Sequence, residues 1–194
     1  GEMVQYLGFK CLTAEGGGTV IENGVARVVA DVGSTDVAFV DFFLNGAPAA
    51  VARTLPFTLA FQATPALGAP GSQIEVSAIA TDTSGNRGLV PVRTNVAVVA
   101  DQPPTVTFLS PASAISARNG DRVTLEVRAT DDLGVTAIGY RANTGDTRTA
   151  GTLPVTPAVT ERTTTFAFDV PATVVPGTTF TIEASAADTK GQTG

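Results

Sequence analysis

The feature that most constrains the fold is a segment that occurs twice. Ile74–Gly88 reads IEVSAIATDTSGNRG, and Phe180–Gly194 reads FTIEASAADTKGQTG. Each copy begins with alternating apolar and polar residues, a pattern that indicates a β-strand with one buried face. Each then continues into an Asp-Thr-x-Gly sequence at Asp82 or Asp188, where the Asp and Gly residues favour a tight turn. The repeat predicts two copies of one β-domain in the chain.

Around the first copy, short apolar alternations follow one another between Gly, Pro and Asn turn signals. No stretch has helical periodicity, and short strands at this spacing are typical of a β-sandwich. A loop is predicted over Thr13–Gly24. The predicted strands of the first half are Val4–Leu12, Val25–Asp31, Val37–Leu44, Ala47–Thr54, Phe57–Gln62, Ile74–Thr81 and Val90–Val99. The alternation predicts these inward residues on three of them: Ala26, Val28, Ala30, Val40, Phe42, Leu44, Phe57, Leu59 and Phe61.

The second half repeats this order, with Val123–Ala129 and Val135–Ala142 as its second and third predicted strands. It stops at Gly194, whereas the first half continues after Gly88 into LVPVRTNVAVV. The predicted fold class is therefore all-β, with two tandem antiparallel β-sandwiches, the second lacking its final strand. The expected domains are residues 1–100 and 105–194, joined by a short Pro-rich linker at 101–104. The missing strand would leave an open edge beside Phe180–Ala187, which can accept another strand or weaken the second domain.

The composition argues against several classes of function. A net charge of −6 with only 15% charged residues disfavours nucleic acid, whose binding depends on Lys and Arg. No apolar run approaches the roughly 20 residues that would insert across a membrane. The sequence contains no His, the commonest general base, and no nucleotide-binding fingerprint, so we expect no enzymatic activity. The lone Cys11 excludes an intrachain disulfide and is predicted to be buried.

Two further stretches carry a family resemblance. VAFVDFFLNG and ATDDLGVTAIGYRANTG, each followed later by A-(T/A)-D-T-x-G-(N/Q), resemble the immunoglobulin-like (Ig-like) domain repeats of large bacterial surface proteins and adhesins. The resemblance extends over nearly all of both halves. It implies Ig-like sandwiches without a shared catalytic residue, an extracellular location at the cell surface, and neighbouring Ig-like repeats as partners. Some members of the family coordinate calcium at domain junctions.

The resemblance implies a function as a non-enzymatic extracellular spacer or adhesion module of a larger repetitive surface protein. The alternative is an accessory module of a secreted protein that binds a protein or a host-surface or other glycan. Sugar sites usually need exposed aromatic faces. Phe39 and Phe43 fall on the outward face of their strand, so they are either covered by Ala47–Thr54 or part of a partner surface. Tyr140 aligns with the inward Phe42 and is predicted to lie in the core.

The linker contains a candidate metal ligand. In a sandwich of this connectivity, the end where the first strand enters also carries the loops after the second and sixth strands. Carboxylates gathered there would repel each other unless a cation compensates them, and calcium prefers six to eight oxygen ligands. The sequence therefore predicts a calcium site at the domain junction, or else aspartates that only form solvated turns. The candidate ligands are Asp101, Asp131, Asp132 and Asp188.

Overall fold

The computed structural model of the chain describes residues 9–143 and 148–194. These residues form strands and turns, and the helical structure among them is one 3-10 turn at Glu15–Gly18. The predicted all-β fold class is therefore confirmed. The chain divides into two compact units, Gly1–Ala100 and Asp101–Gly194. The first part of the predicted strand Val4–Leu12 lies outside the described residues.

The first unit is a two-sheet sandwich with eight strands between residues 9 and 100. One sheet has the order β1-β3-β6, and the other has the order β2-β8-β7-β4-β5. The strands are β1 (Phe9–Ala14), β2 (Thr19–Ile21), β3 (Val25–Val32), β4 (Val37–Leu44), β5 (Ala47–Ala52), β6 (Phe57–Gln62), β7 (Gln73–Asp82) and β8 (Val92–Val99).

Strand β2 corrects the prediction of a loop over Thr13–Gly24. Thr19–Ile21 pairs in parallel with Ala97–Val99 of β8, so the unit is not wholly antiparallel. Val20 is buried beneath this pairing. A strand of three residues is too short to produce a recognisable alternation, and its partner lies far along the chain, so the local sequence gives no signal for it.

The core of the first unit follows the predicted alternation. Val28, Val40, Ile74 and Val76 have no exposed surface, and they meet between the two sheets. The other residues predicted to point inward are also buried, namely Ala26, Ala30, Phe42, Leu44, Phe57, Leu59 and Phe61.

Cys11 is exposed, so the prediction that it is buried was wrong. The pairing of β1 with β3 shifts register between Phe9 and Cys11. In the register that follows, Leu12 points into the core and Cys11 points outward, with its Sγ 3.6 Å from the hydroxyl of Thr13. A bulge of this kind reverses which face each residue occupies, and the sequence pattern does not reveal it.

The second unit contains β9 (Thr105–Ser110), β10 (Arg122–Asn143), β11 (Arg148–Asp169) and β12 (Thr181–Asp188). The first part of β10 pairs with β9 and with the end of β11, and its second part pairs with β12 and with the beginning of β11. Two separate strands, Val123–Ala129 and Val135–Ala142, were predicted here. They are instead one continuous strand of 22 residues. The pairing of β10 with β11 shifts register between Thr130 and Val135, and the strand continues through this shift.

Both parts of β10 bury alternate side chains in one hydrophobic core. Leu125 and Val127 come from the first part of β10, and Ile138 comes from its second part; none of the three has exposed surface. Tyr140 is also buried, as predicted, with its ring centroid 5.0 Å from that of Phe166.

Two valines on β3 provide a matched test of this core. Val28→Ala should lower the free energy of unfolding by about 2 kcal/mol, because it removes two buried methyl groups and leaves a cavity. Val25 lies on the same strand but is 68% exposed. Val25→Ala should therefore change stability by less than about 0.5 kcal/mol. Urea denaturation of the two variants measures the difference, and equal losses would contradict the assigned faces of β3.

Candidate metal site in the second unit

Three carboxylates of the second unit converge where β12 ends and β10 changes register. Asp188 is the last residue of β12, Asp131 follows the first paired part of β10, and Asp101 is the first residue of the unit. Each offers one carboxylate oxygen, and these oxygens all lie within 4.8 Å of one another. We call Asp101, Asp131 and Asp188 the carboxylate cluster.

Asp188 both forms a turn and points into the cluster. Its Oδ1 accepts hydrogen bonds from the backbone N–H groups of Lys190 and Gln192, each at 2.8 Å. Gly191 supplies the positive φ of 85° that this turn requires. Asp188 is only 3% exposed, and its Oδ2 is buried without a hydrogen-bond partner among the described residues. A buried carboxylate oxygen left in this state is costly unless a positive charge approaches it.

The two carboxylate oxygens of Asp131 have the same two roles as those of Asp188. Its Oδ2 accepts the backbone N–H groups of Leu133, at 2.9 Å, and of Gly134. Its Oδ1 is buried and has no hydrogen-bond partner in the part of the chain that the structure describes. Asp131 was predicted to occupy a turn, and it does so inside the irregular part of β10 rather than between two strands.

Asp101 and Asp132 have different places in the arrangement. Asp101 is 5% exposed, and its Oδ2 accepts a hydrogen bond from the side-chain amide of Gln192 at 3.1 Å. Asp132 is exposed, lies beside Asp101, and accepts the backbone N–H of Gln102 at 3.3 Å. The structure thus brings together three of the four predicted ligands and leaves Asp132 at the exposed rim.

The crowding of negative charge affects the pKa of Asp101. The pKa of Asp101 is raised to about 6, mainly because burial removes water from its carboxylate. A hydrogen bond with Asp132 and the negative charges of Asp132, Asp188 and Asp131 contribute to the same rise. The cluster is therefore an environment in which a bound cation would replace unfavourable interactions with favourable ones.

The first unit contains the same turn at Asp82, but there both oxygens of the turn aspartate accept hydrogen bonds. Asp82 Oδ1 accepts the N–H groups of Ser84 and Asn86, each at 2.8 Å, which matches the pattern at Asp188. Asp82 Oδ2, however, accepts the side-chain amide of Asn86 at 2.7 Å. This hydrogen bond is the main reason that the pKa of Asp82 is lowered.

Gln192 occupies the position of Asn86 in the second repeat, and sequence reasoning missed its role. Its longer side chain reaches Asp101 instead of the carboxylate that heads its own turn. The extra methylene group of Gln192 therefore determines which carboxylate the side-chain amide reaches. In the first unit the amide donates to the second oxygen of the turn aspartate, whereas in the second unit that oxygen faces the cluster. The Asn-to-Gln difference between the repeats is the sequence signal that could have indicated this.

The donor set fits a hard divalent cation. All the side-chain donors of the cluster are carboxylate oxygens, which calcium prefers, and two of them are buried without a hydrogen-bond partner among the described residues. Asp101, Asp131 and Asp188 would hold the ion. The remaining ligands of a site with six to eight oxygens would come from neighbouring oxygens and water.

The outward aromatic residues of β4 are partly covered. The guanidinium of Arg53 lies 5.0 Å from the ring centroid of Phe39, a cation–π contact, and Arg53 follows directly after β5. Phe43 is half-buried, and its backbone is in register with Pro48 of β5 and Ser77 of β7. The covered alternative for these two residues therefore agrees better with the structure than an open stacking surface.

Comparison with known proteins gives one family match. The family profile described as a bacterial Ig domain matches residues 104–169, which lie in the second unit. The predicted resemblance to bacterial Ig-like domains is thereby confirmed for this segment. No curated protein matches the sequence.

Several solved structures are similar to the chain at low sequence identity. The CbhA fibronectin(III)-like modules of Clostridium thermocellum are 19% identical, over 94% of this chain and 88% of that chain, with a TM-score of 0.37. A putative membrane anchored protein from Corynebacterium diphtheriae is 15% identical, over 96% of this chain and 56% of that chain, with a TM-score of 0.38. A 1.5-MDa bacterial ice-binding adhesin is 11% identical, over 95% and 62%, with a TM-score of 0.39.

No helix among the described residues has the length and apolar character needed to cross a membrane.

The two turns generate a prediction about Asp82. Asn86→Ala should raise the pKa of Asp82, because its main hydrogen-bond donor is lost. The lowered pKa of Asp82 means that this carboxyl stabilises the fold at neutral pH, and that this contribution is lost as the pH falls through its folded-state pKa. The variant should lose this part of its stability. NMR titration of the side-chain carboxyl measures the change, with Asn95→Ala on β8 as the control; an unchanged pKa in Asn86→Ala would contradict the assignment.

Proposed function

We propose that this chain is a non-enzymatic extracellular spacer or adhesion module of a larger repetitive bacterial cell-surface protein. The observation that carries the proposal is the match of the bacterial Ig domain to residues 104–169, which lie in the second of two compact units. Modules of this kind serve by their shape, their stability and their joining in series. Neighbouring Ig-like repeats are the proposed partners of the chain.

The side chains that could suggest catalysis have structural partners. Glu75 forms an ion pair with Arg93 at 2.7 Å, and Glu183 forms one with Arg141, all on strand surfaces. The cluster carboxylates support cation binding, and no His is present in the sequence to act as a general base. These observations support a non-enzymatic role.

We further propose that the carboxylate cluster binds calcium and thereby stabilises the second unit. Asp101 immediately precedes Gln102, Pro103 and Pro104, and the two prolines restrict the backbone of this segment. An ion shared by Asp101, Asp131 and Asp188 would fasten this entering segment to β10 and β12. Such fastening suits a module that must stay folded while its chain is under tension.

Calcium should raise the melting temperature of the chain. An ion that binds only the folded form stabilises it by about 2.7 kcal/mol at a hundredfold excess over Kd. Extracellular modules often bind calcium with Kd of roughly 10⁻⁴–10⁻³ M, so millimolar calcium is compared with chelator. The double variant Asp131→Asn with Asp188→Asn should lose the increase. Asp82→Asn is the matched control in the first unit and should keep it. If the parent melts identically in calcium and in chelator, these residues only form turns.

A direct binding measurement separates the ion site from general effects of salt. Terbium luminescence should report saturable binding that calcium displaces and that Gln192→Asn weakens. The shorter side-chain amide would donate a hydrogen bond to Asp188 Oδ2, as Asn86 does to Asp82 Oδ2 in the first unit. Unchanged terbium binding in Gln192→Asn would contradict the proposed part of Asp188 in the site.

Glycan arrays test the spacer function against the alternative of a glycan-binding accessory module. We expect no specific hit, because Phe39 lies against Arg53 and the other described aromatic rings are mostly in the core. A hit that Phe39→Ala or Phe43→Ala abolishes would overturn the spacer proposal in favour of the glycan-binding alternative. Val51→Ala, an exposed position on neighbouring β5, serves as the control.

A further inference from the structure

Strand β6 of the first unit lies at the edge of its sheet. It pairs with β3 on one side, and no other strand of residues 9–143 and 148–194 pairs with it. The ladder with β3 keeps one register from Phe57 to Gln62, without a bulge. The free side of β6 is therefore a regular strand edge, six residues long. We call the side of β6 that faces away from β3 the β6 edge.

The hydrogen bonds next to β6 show which of its backbone groups face this edge. The N–H of Ala63 donates to the carbonyl of Gly24 at 2.9 Å, so residue 63 is hydrogen-bonded towards β3. Residues of an antiparallel ladder alternate between the two sides of the strand. The backbone N–H and C=O groups of Thr58, Ala60 and Gln62 therefore point to the β6 edge. In agreement, the carbonyl of Gln62 accepts the N–H of Thr64 at 2.9 Å rather than a group of β3.

The β6 edge lacks the features that usually protect an edge strand, namely charged residues, prolines and bulges. The other edges of comparable length differ in this respect. Edge strand β5 contains Pro48, which has no N–H, and its pairing with β4 shifts register between Phe42 and Phe43. Edge strand β11 contains Pro154 and Pro157. A proline at an edge removes a donor that a further strand would need.

We propose that the β6 edge is a self-association site, at which β6 of a second copy of the chain adds as an antiparallel strand. Ala60 would lie opposite Ala60 of the second copy on a two-fold axis, and Thr58 would lie opposite Gln62. In this register the N–H groups of Thr58, Ala60 and Gln62 all donate across the axis. The occupant is a second copy because the groups that face the edge are arranged symmetrically about Ala60.

The side chains on the outer face of the sheet are compatible with this pairing. Ala60, the residue at the axis, is small and exposed, and β6 contains no charge that would meet its own copy. The neighbouring charged residue, Arg27 of β3, is in register with Ala60. Arg27 and its copy would be three strand spacings apart, about 14 Å. This distance exceeds the screening length of about 8 Å at physiological salt, so their repulsion is small.

An exposed apolar residue lies at the end of the β6 edge. Leu55, two residues before β6, is 74% exposed. In the proposed register it would lie near Pro65 of the second copy, which is also exposed. The pairing would thus add an apolar contact at each end of the backbone hydrogen bonds.

Sedimentation of the complete chain, from about 1 µM to about 1 mM, should show a monomer–dimer equilibrium with a Kd within this range. Ala60→Lys should weaken dimerisation at least about tenfold, because like charges would lie directly opposite each other at the axis. Ala49→Lys, at an exposed position of β5, is the matched control and should leave the Kd unchanged. A chain that stays monomeric throughout, or an equal effect of the two lysines, would overturn the proposal.

Disulfide crosslinking tests the register, in a Cys11→Ser background that removes the exposed native thiol. Ala60→Cys should form a covalent dimer on oxidation, because the two Cα atoms would be about 5.5 Å apart, within disulfide range. Gln62→Cys alone should not, because its Cα atoms would be about 14 Å apart. A mixture of Thr58→Cys and Gln62→Cys chains should crosslink. Equal crosslinking of Ala60→Cys and Gln62→Cys, or none with Ala60→Cys, would contradict the pairing.

The self-association site is independent of the carboxylate cluster and of the proposed spacer function. It lies in the first unit and needs no cation, so the sedimentation experiment is carried out in chelator. The double variant Asp131→Asn with Asp188→Asn should dimerise with the Kd of the parent. Loss of dimerisation in this variant would contradict the assignment to β6, whereas a failed calcium test would leave the assignment intact.

Discussion

Both units depend on the burial of one face of each strand against a second layer of strands. The ion pairs cannot take this role, because every one among the described residues includes a side chain that is about half exposed or more. Such a pair contributes about 0–1 kcal/mol, whereas burying a single large apolar side chain contributes about 1.5–3 kcal/mol. The alternation of residues along β3, β7, β10 and β12 is therefore what determines the fold.

The same requirement explains why the two units differ. In the first unit β7 has a paired strand on each side, so its inward residues lose all contact with water. In the second unit β12 has the same alternation and the same turn, but among residues 9–143 and 148–194 one of its edges is paired only through the short contact with Gly194. Its inward residues keep part of their surface because burial in a sandwich needs a neighbouring strand as well as a facing layer.

One hydrogen bond distinguishes Asp82, which only forms a turn, from Asp188, which is a candidate metal ligand. Asp82 and Asp188 accept matching backbone hydrogen bonds, which any Asp-Thr-x-Gly turn can supply. Asn86 satisfies the remaining oxygen of Asp82, while Gln192 extends past Asp188 to Asp101. The resulting excess of negative charge beneath the surface is a property of the cluster and of no single residue in it.

The sequence by itself determined most strands of the first unit and their buried faces. Alternation is a local property, so the inward residues of β3, β4 and β6 could be read directly, and the repeat of one turn was enough to predict two copies of a β-domain. It also placed Asp101, Asp131 and Asp188 at one end of a β-domain, since the connectivity of the strands carries that information.

Only the tertiary structure decided the features that depend on contacts between distant residues. The parallel pairing of β2 with β8, the outward position of Cys11 and the continuity of β10 all follow from register, which local alternation does not contain. The placement of Asp132 at the rim and the open oxygen of Asp188 depend on where Gln192 points. A sequence pattern specifies which face a residue occupies, but hydrogen bonding and burial arise only when the strands are assembled.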